Sequence, residues 1–150
     1  TKLNFDAMRI QNLGPGFYGV LRGSGQVGFD SLYSIEQFAL GGISSVRGYT
    51  QAELLGDSGY AVSAELRWSP IKENPEIFQV VTFIDHGGVD LIDQFPGELP
   101  EDSLTGAGFG FRSSLNENTH LTLDVGFPIS PSETRRGDSA VIYGGIQTRF

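Results

Sequence analysis

Hydrophobic and polar residues alternate with a period of two along most of the chain, which is the pattern of β-strands rather than of helices. Between residues 60 and 68, for example, Tyr60, Leu66 and Trp68 lie on one face, and Glu65 and Arg67 lie on the other. Seven segments carry this pattern: 2–11, 17–29, 60–68, 78–87, 104–114, 120–127 and 139–150. The sequence therefore predicts an all-β protein with about seven antiparallel strands.

The connections between these strands differ systematically in length. Short connections at 12–16, 69–77 and 115–119 alternate with long ones at 30–59, 88–103 and 128–138. A meander with tight turns at one end and long loops at the other is typical of outer-membrane β-barrels, in which the short turns are periplasmic. We therefore expect the long inserted loop 30–59 to lie on the extracellular side.

A soluble antiparallel sandwich would also alternate, with its apolar face turned inward. Strand length favours the barrel, because the predicted strands approach the 9–11 residues that cross a bilayer at a tilt. Soluble strands usually have about five or six residues. Seven strands cannot close a bacterial barrel, whose smallest members have eight. We therefore expect further strands before Thr1 and a natural end at Phe150.

Composition removes several other classes of protein. The 150 residues include no cysteine, which excludes disulfide scaffolds and Cys-ligated metal sites. The net charge of −8 argues against nucleic acid as a partner, because phosphate contacts need a basic face. Glycine is abundant, with 21 residues, and falls on the polar face of several strands. Such glycines would leave clearance for a loop or plug inside a barrel.

Two motifs suggest where function lies. The first is in the long loop and consists of Val46, Arg47, Gly48 and Tyr49; the second is in the fourth long strand and consists of Phe83, Asp85 and Gly87. Alternation places Asp85 on the lumen face, where a lone carboxylate is costly unless it is paired or hydrated. An arginine such as Arg47 can bind a carboxylate through two hydrogen bonds.

These motifs resemble the Val-Arg-Gly-Tyr loop and the Phe-x-Asp-x-Gly strand signatures of the bacterial outer-membrane assembly and secretion superfamily. Within it, the chain is most similar to the two-partner secretion transporters (TpsB; the haemolysin secretion/activation and filamentous haemagglutinin transporter type). The terminal Phe150 is similar to the aromatic residue that targets such proteins to the bacterial outer membrane. The resemblance implies a 16-stranded barrel of which residues 1–150 are the C-terminal part, with the N-terminal strands and the periplasmic POTRA domains outside this chain.

The resemblance also implies a function. We expect a pore that exports an unfolded partner polypeptide, with Arg47 pairing with Asp85 to hold the loop inside the barrel. Two alternatives remain open: an insertase of the same superfamily, and a barrel that anchors a surface enzyme. His86 and His120 lack the companions of a catalytic or metal site, so we expect no enzyme, metal or cofactor. The expected surroundings are outer-membrane lipid, and free strand edges could pair with another copy.

Overall fold

The computed structural model describes residues 1–71, 73–93, 101–130 and 140–149. Within these ranges the chain forms nine β-strands: β1 (Lys2–Gly14), β2 (Phe17–Gly28), β3 (Phe38–Leu40), β4 (Leu54–Gly56), β5 (Ser58–Trp68), β6 (Gln79–Asp90), β7 (Glu101–Asn116), β8 (Thr119–Pro128) and β9 (Val141–Thr148). The same part of the chain contains no helix with the length and hydropathy needed to cross a membrane.

The seven long strands form one antiparallel sheet in the order β1-β2-β5-β6-β7-β8-β9, which confirms the predicted meander. The short strands β3 and β4 pair with each other inside the connection between β2 and β5. β1 and β9 are the two edges of the long sheet, so the described strands do not close a barrel.

Strand register divides the sheet into two chemically different faces, because directly opposed residues share a face. One row across five strands consists of Leu21, Ala64, Ile84, Ala107 and Phe127. Its large members are exposed, with 56% for Leu21 and 53% for Ile84. An apolar face open to the surroundings is the arrangement of a lipid-facing wall and the opposite of a sandwich. We call it the outer face.

The next row belongs to the inner face and consists of Arg22, Ser63, Asp85, Gly106 and Pro128. The hydrophobic core lies between this face and the long connection from β2 to β5. Its buried members are Leu40, Val46, Tyr49, Ala61, Val89 and Leu104, with Phe38 and Leu54 packed against them. The apolar interior of the molecule is therefore built by a loop that folds back onto the inner wall.

Two details add to the sequence-based expectations. In β1 the apolar residues change face between Ala7 and Met8, which from the sequence is typical of a bulge or of a strand that starts earlier, but pairing with β2 is regular from Lys2 to Asn12, and the irregularity falls between Asn12 and Gly14. Met8 and Ile10 therefore lie opposite Arg22 and Val20 on the inner face. Strands β6 and β7 are also longer than predicted, so the connection between them spans only 91–100. Polar or glycine residues near their ends hid this extension.

Candidate functional site

The segment 41–49, which we call the arginine loop, forms a compact turn on the inner face. The Gly42 N–H donates to the Val46 carbonyl oxygen at 3.1 Å, and the Gly41 N–H donates to Ser45 Oγ at 2.8 Å. Gly48 has a φ of 104°, which a residue with a side chain rarely adopts. These local hydrogen bonds orient Arg47 toward the inner face of the sheet.

The Asp85 carboxylate in β6 binds both the side chain and the backbone N–H of Arg47. Arg47 Nε lies 2.7 Å from Asp85 Oδ2, and Arg47 Nη2 lies 2.9 Å from Asp85 Oδ1, which is a two-pronged charged contact. The Arg47 backbone N–H donates to Oδ2 at 3.1 Å. Both residues are buried, with 3% exposure for Arg47 and 0% for Asp85. The desolvated charges therefore compensate each other within one contact.

Two further carboxylates complete the surroundings of Arg47. Its Nη1 lies 2.8 Å from Glu65 Oε1 in β5 and 3.3 Å from Asp124 Oδ2 in β8. Its Nη2 donates to Ser63 Oγ at 3.1 Å, and the guanidinium carbon lies 3.5 Å from the centre of the Phe83 ring. Stacking on the face of an aromatic ring is favourable for a desolvated cation.

Arginines on the strands neutralise the same carboxylates from the wall side. Glu65 pairs with Arg67 at 2.6 Å, with Arg22 at 3.4 Å and with Arg112 at 3.7 Å. Arg112 also pairs with Asp124 at 2.5 Å. One ion-pair network on the inner face therefore contains Glu65, Arg67, Arg112 and Asp124. Arg149 has no ion pair among the described residues and follows the end of β9.

Glycines on the inner face allow the arginine loop to touch the wall. A Cβ atom at Gly106 in β7 would collide with the Arg47 carbonyl oxygen, and one at Gly126 in β8 would collide with the Gly48 nitrogen. A Cβ at Gly48 itself would lie 2.7 Å from the Phe127 carbonyl carbon. The loop backbone therefore rests directly on the strand backbone.

The remaining motif residues have packing roles. Val46 and Tyr49 are fully buried in the core, and the Tyr49 hydroxyl donates to the Thr105 carbonyl oxygen at 2.8 Å. A Cβ at Gly87 would lie 2.5 Å both from Leu40 Cδ1 of the long connection and from the Tyr60 carbonyl oxygen of β5. Phe150, the predicted targeting residue, lies outside the described residues.

Two residues of the site were not recognised in the sequence. Asp57, just before β5, is 1% exposed and accepts the N–H groups of Leu32 and Ile92 at 2.7 and 2.9 Å. Burial raises the pKa of Asp57, but these donors and the Gln37 amide outweigh it and hold the pKa below its usual value of 3.8. Tyr143 in β9 contacts the tip of the arginine loop. An aspartate or a tyrosine does not by itself indicate such an anchoring role in a sequence, because the groups that these two side chains bind are mostly backbone N–H and carbonyl groups.

The histidines lie apart from this network. His86 contacts the Tyr60 hydroxyl at 3.1 Å and the Thr105 hydroxyl at 2.9 Å, and His120 contacts the Ser114 hydroxyl at 2.9 Å. The part of the chain that the structure describes contains no group of three acidic or histidine side chains that could hold a metal ion.

An antiparallel meander with an apolar outer face and a charged loop packed on its inner face defines the wall of an outer-membrane β-barrel. The family model for the haemolysin secretion/activation protein ShlB/FhaC/HecB matches residues 13–113, and the chain belongs to this family. This result confirms the resemblance to two-partner secretion transporters and the location in the outer membrane. It identifies a class of transporters, which is not a class of enzymes.

The chain is also similar to one curated relative and to one solved structure, of which the solved structure shows the fold. The outer membrane transporter CdiB of Escherichia coli O6:K15:H31 (strain 536 / UPEC) is 28% identical over 123 residues, which are 81% of this chain and 20% of the transporter. The solved structure of CdiB from Escherichia coli matches with a TM-score of 0.75 and 22% identity. That match covers 98% of this chain and 27% of the CdiB chain. The chain thus spans about a fifth of the curated relative that it matches.

Proposed function

We propose that the protein containing this chain exports an unfolded partner polypeptide across the outer membrane, and that Arg47 holds the arginine loop inside the barrel until export begins. Membership of the haemolysin secretion/activation family supports export rather than the insertion of other barrels. The exposed apolar outer face suits contact with membrane lipid. The charged inner face would line the path of the exported chain.

The observation that best supports this proposal is that the carboxylates of Asp85, Glu65 and Asp124 depend on Arg47 for their charge compensation to very different degrees. Among the described residues, every hydrogen bond to the Asp85 side chain comes from Arg47. Glu65 and Asp124 instead keep arginines of the wall whether or not the loop is present. Withdrawal of the loop therefore leaves one carboxylate, that of Asp85, without a cation.

Because Asp85 depends on Arg47 alone among the described residues, we expect the loop to occupy two states, one bound to the inner face and one released. Removing one partner of a buried ion pair costs roughly 3–5 kcal/mol, because the other charge stays desolvated. Buried pairs of this kind suit the selection of one conformation better than they suit overall stability. A passing polypeptide or entering water would have to compensate Asp85 before the loop could leave the wall.

The test replaces Asp85 by Asn in the full-length transporter, which removes the charge and keeps the shape. We expect the loop to be released more readily, so that the pore stays open for longer in planar lipid bilayers and the amount of partner protein secreted into the medium changes. Asp6→Asn is the matched control, because Asp6 is an exposed inner-face aspartate without an ion pair among the described residues. Unchanged secretion and conductance for Asp85→Asn, at equal amounts in the membrane, would refute the proposal.

A further inference from the structure

We propose that Tyr143 is a second anchor of the arginine loop, which ties the loop tip to strand β9 independently of the ion pair at Asp85. The inference rests on the proposed function only in assuming that the loop can leave the wall. It assigns a positioning role to a residue outside both sequence motifs.

The Tyr143 hydroxyl is bonded to the loop backbone on both sides. It accepts the N–H of Gly48 at 3.0 Å and donates to the carbonyl oxygen of Tyr49 at 2.6 Å. One hydroxyl thus uses its donor and an acceptor site on two consecutive residues of the tip. A half-buried tyrosine that serves two backbone groups fixes the position of the tip rather than merely filling space.

Register shows why Tyr143 reaches the tip. It lies opposite Asp124 in β8, so it projects from the inner face beside the ion-pair network. The loop residue before Gly48, Arg47, is held by β6 through Asp85. Two adjacent loop residues are therefore anchored to two strands separated by β7 and β8 in the sheet.

A mechanical consequence follows for β9. Within the described part of the sheet, β9 pairs with β8 alone and forms an edge. A displacement of β9 would pull on Gly48 and Tyr49, and release of the loop would in turn free β9 from a cross-link over the inner face. The anchor therefore couples the position of the loop to the position of an edge strand.

The experiment measures the mobility of a nitroxide spin label on the loop in the full-length transporter in lipid vesicles. Ser44→Cys is a suitable labelling site, because Ser44 is exposed and residues 1–150 contain no cysteine; any cysteine elsewhere in the protein is replaced. The variant is Tyr143→Phe, which keeps the ring and removes both hydrogen bonds. The matched control is Tyr60→Phe, which removes the hydroxyl that contacts His86 on the outer face.

We expect Tyr143→Phe to raise the ratio of mobile to immobile label roughly tenfold or more, as for the loss of two ordinary hydrogen bonds. We expect Tyr60→Phe to leave the ratio unchanged. Migration of the folded barrel on unheated SDS gels should be the same for both variants, because a general loss of folding would alter it.

The variant Asp85→Asn separates this inference from the proposed function. If Asp85→Asn mobilises the label and Tyr143→Phe does not, the second anchor is refuted and the ion pair stands. If Tyr143→Phe mobilises the label and Asp85→Asn does not, Tyr143 is confirmed as an anchor and the holding role of the ion pair is refuted. If neither variant changes the label, both proposals are wrong.

Discussion

The backbone of the arginine loop approaches the wall so closely that single glycines decide whether it can be seated. Gly106 and Gly126 lie under Arg47 and Gly48, where a methyl group would overlap loop backbone atoms. Overlap with backbone cannot be relieved by a change of rotamer, in contrast to overlap with a flexible side chain. The inner-face glycines are therefore part of the site, although they carry no chemistry.

For a single residue, we predict that Gly106→Ala prevents the arginine loop from packing normally on the inner face. The added methyl group would collide with the Arg47 carbonyl oxygen, so the contact between Arg47 and Asp85 should be lost or strained. The expected result is reduced export together with faster proteolysis of the loop in the intact transporter. Gly145→Ala is the control on the same face, because no atom lies within 4 Å of a Cβ there. Equal export by the two variants would contradict the argument.

The sequence allowed part of this site to be predicted. Alternation placed Asp85 inward and the resemblance connected it to Arg47, because both signals are local in the chain. The sharing of Arg47 with Glu65 and Asp124 depends on the register of β5 and β8 relative to β6, which single-sequence patterns do not contain.

Among the elements, the long connection between β2 and β5 owes its position to Asp57 as well as to the arginine loop. Asp57 joins this connection to the segment that follows β6 by accepting N–H groups from Leu32 and Ile92. The short strands β3 and β4 also stiffen the connection. Strands of three residues are too short for an alternation pattern, so the sequence predicted only a loop there.

The Asp57 anchor has a definite pH dependence. Its folded-state pKa is lower than the ordinary value of 3.8, so its contribution is fully present above about pH 4 and is lost as the pH falls through the folded-state pKa. We expect hydrogen exchange at the Leu32 and Ile92 amides to stay slow down to pH 4 and to accelerate below it, after correction for the intrinsic rate. In Asp57→Asn the charge that titrates is absent.

That variant should therefore exchange these amides at a rate without this pH step. A step of the same size in Asp57→Asn, or none in the native protein, would show that another group controls the connection.

For the whole molecule, the two faces of the sheet are the property that the sequence predicts best. Period-two alternation extends over most of β5 and β8, and their large apolar residues lie on the outer face as expected. β1 was the exception, because Met8 and Ile10 face inward and Arg9 and Gln11 outward. Among the described strands β1 pairs with β2 alone, and that pairing gives no explanation of its pattern. The pairing of a free edge with another copy stays a prediction.

The face assignment predicts effects of very different size for one substitution at two neighbouring positions. Leu123 lies on the outer face of β8 and Thr122 on the inner face. Leu123→Arg should destabilise the barrel by about 2–4 kcal/mol if the residue lies near the middle of the bilayer. Thr122→Arg should have a smaller effect, because the lumen is hydrated and the only added cost is repulsion from Arg112 directly opposite in β7. Urea unfolding in lipid vesicles gives both values, and similar losses at the two positions would argue against a lipid-facing outer wall.

The most direct test of the account is the separation of the Arg47 guanidinium and the Asp85 carboxylate in an experimental structure of the full-length transporter in a lipid bilayer, without its partner. The account predicts a two-pronged contact with Arg47 Nε about 2.7 Å from Asp85 Oδ2 and the loop inside the barrel. A loop that lies outside the lumen, with Asp85 bonded to water or to another cation, would contradict it.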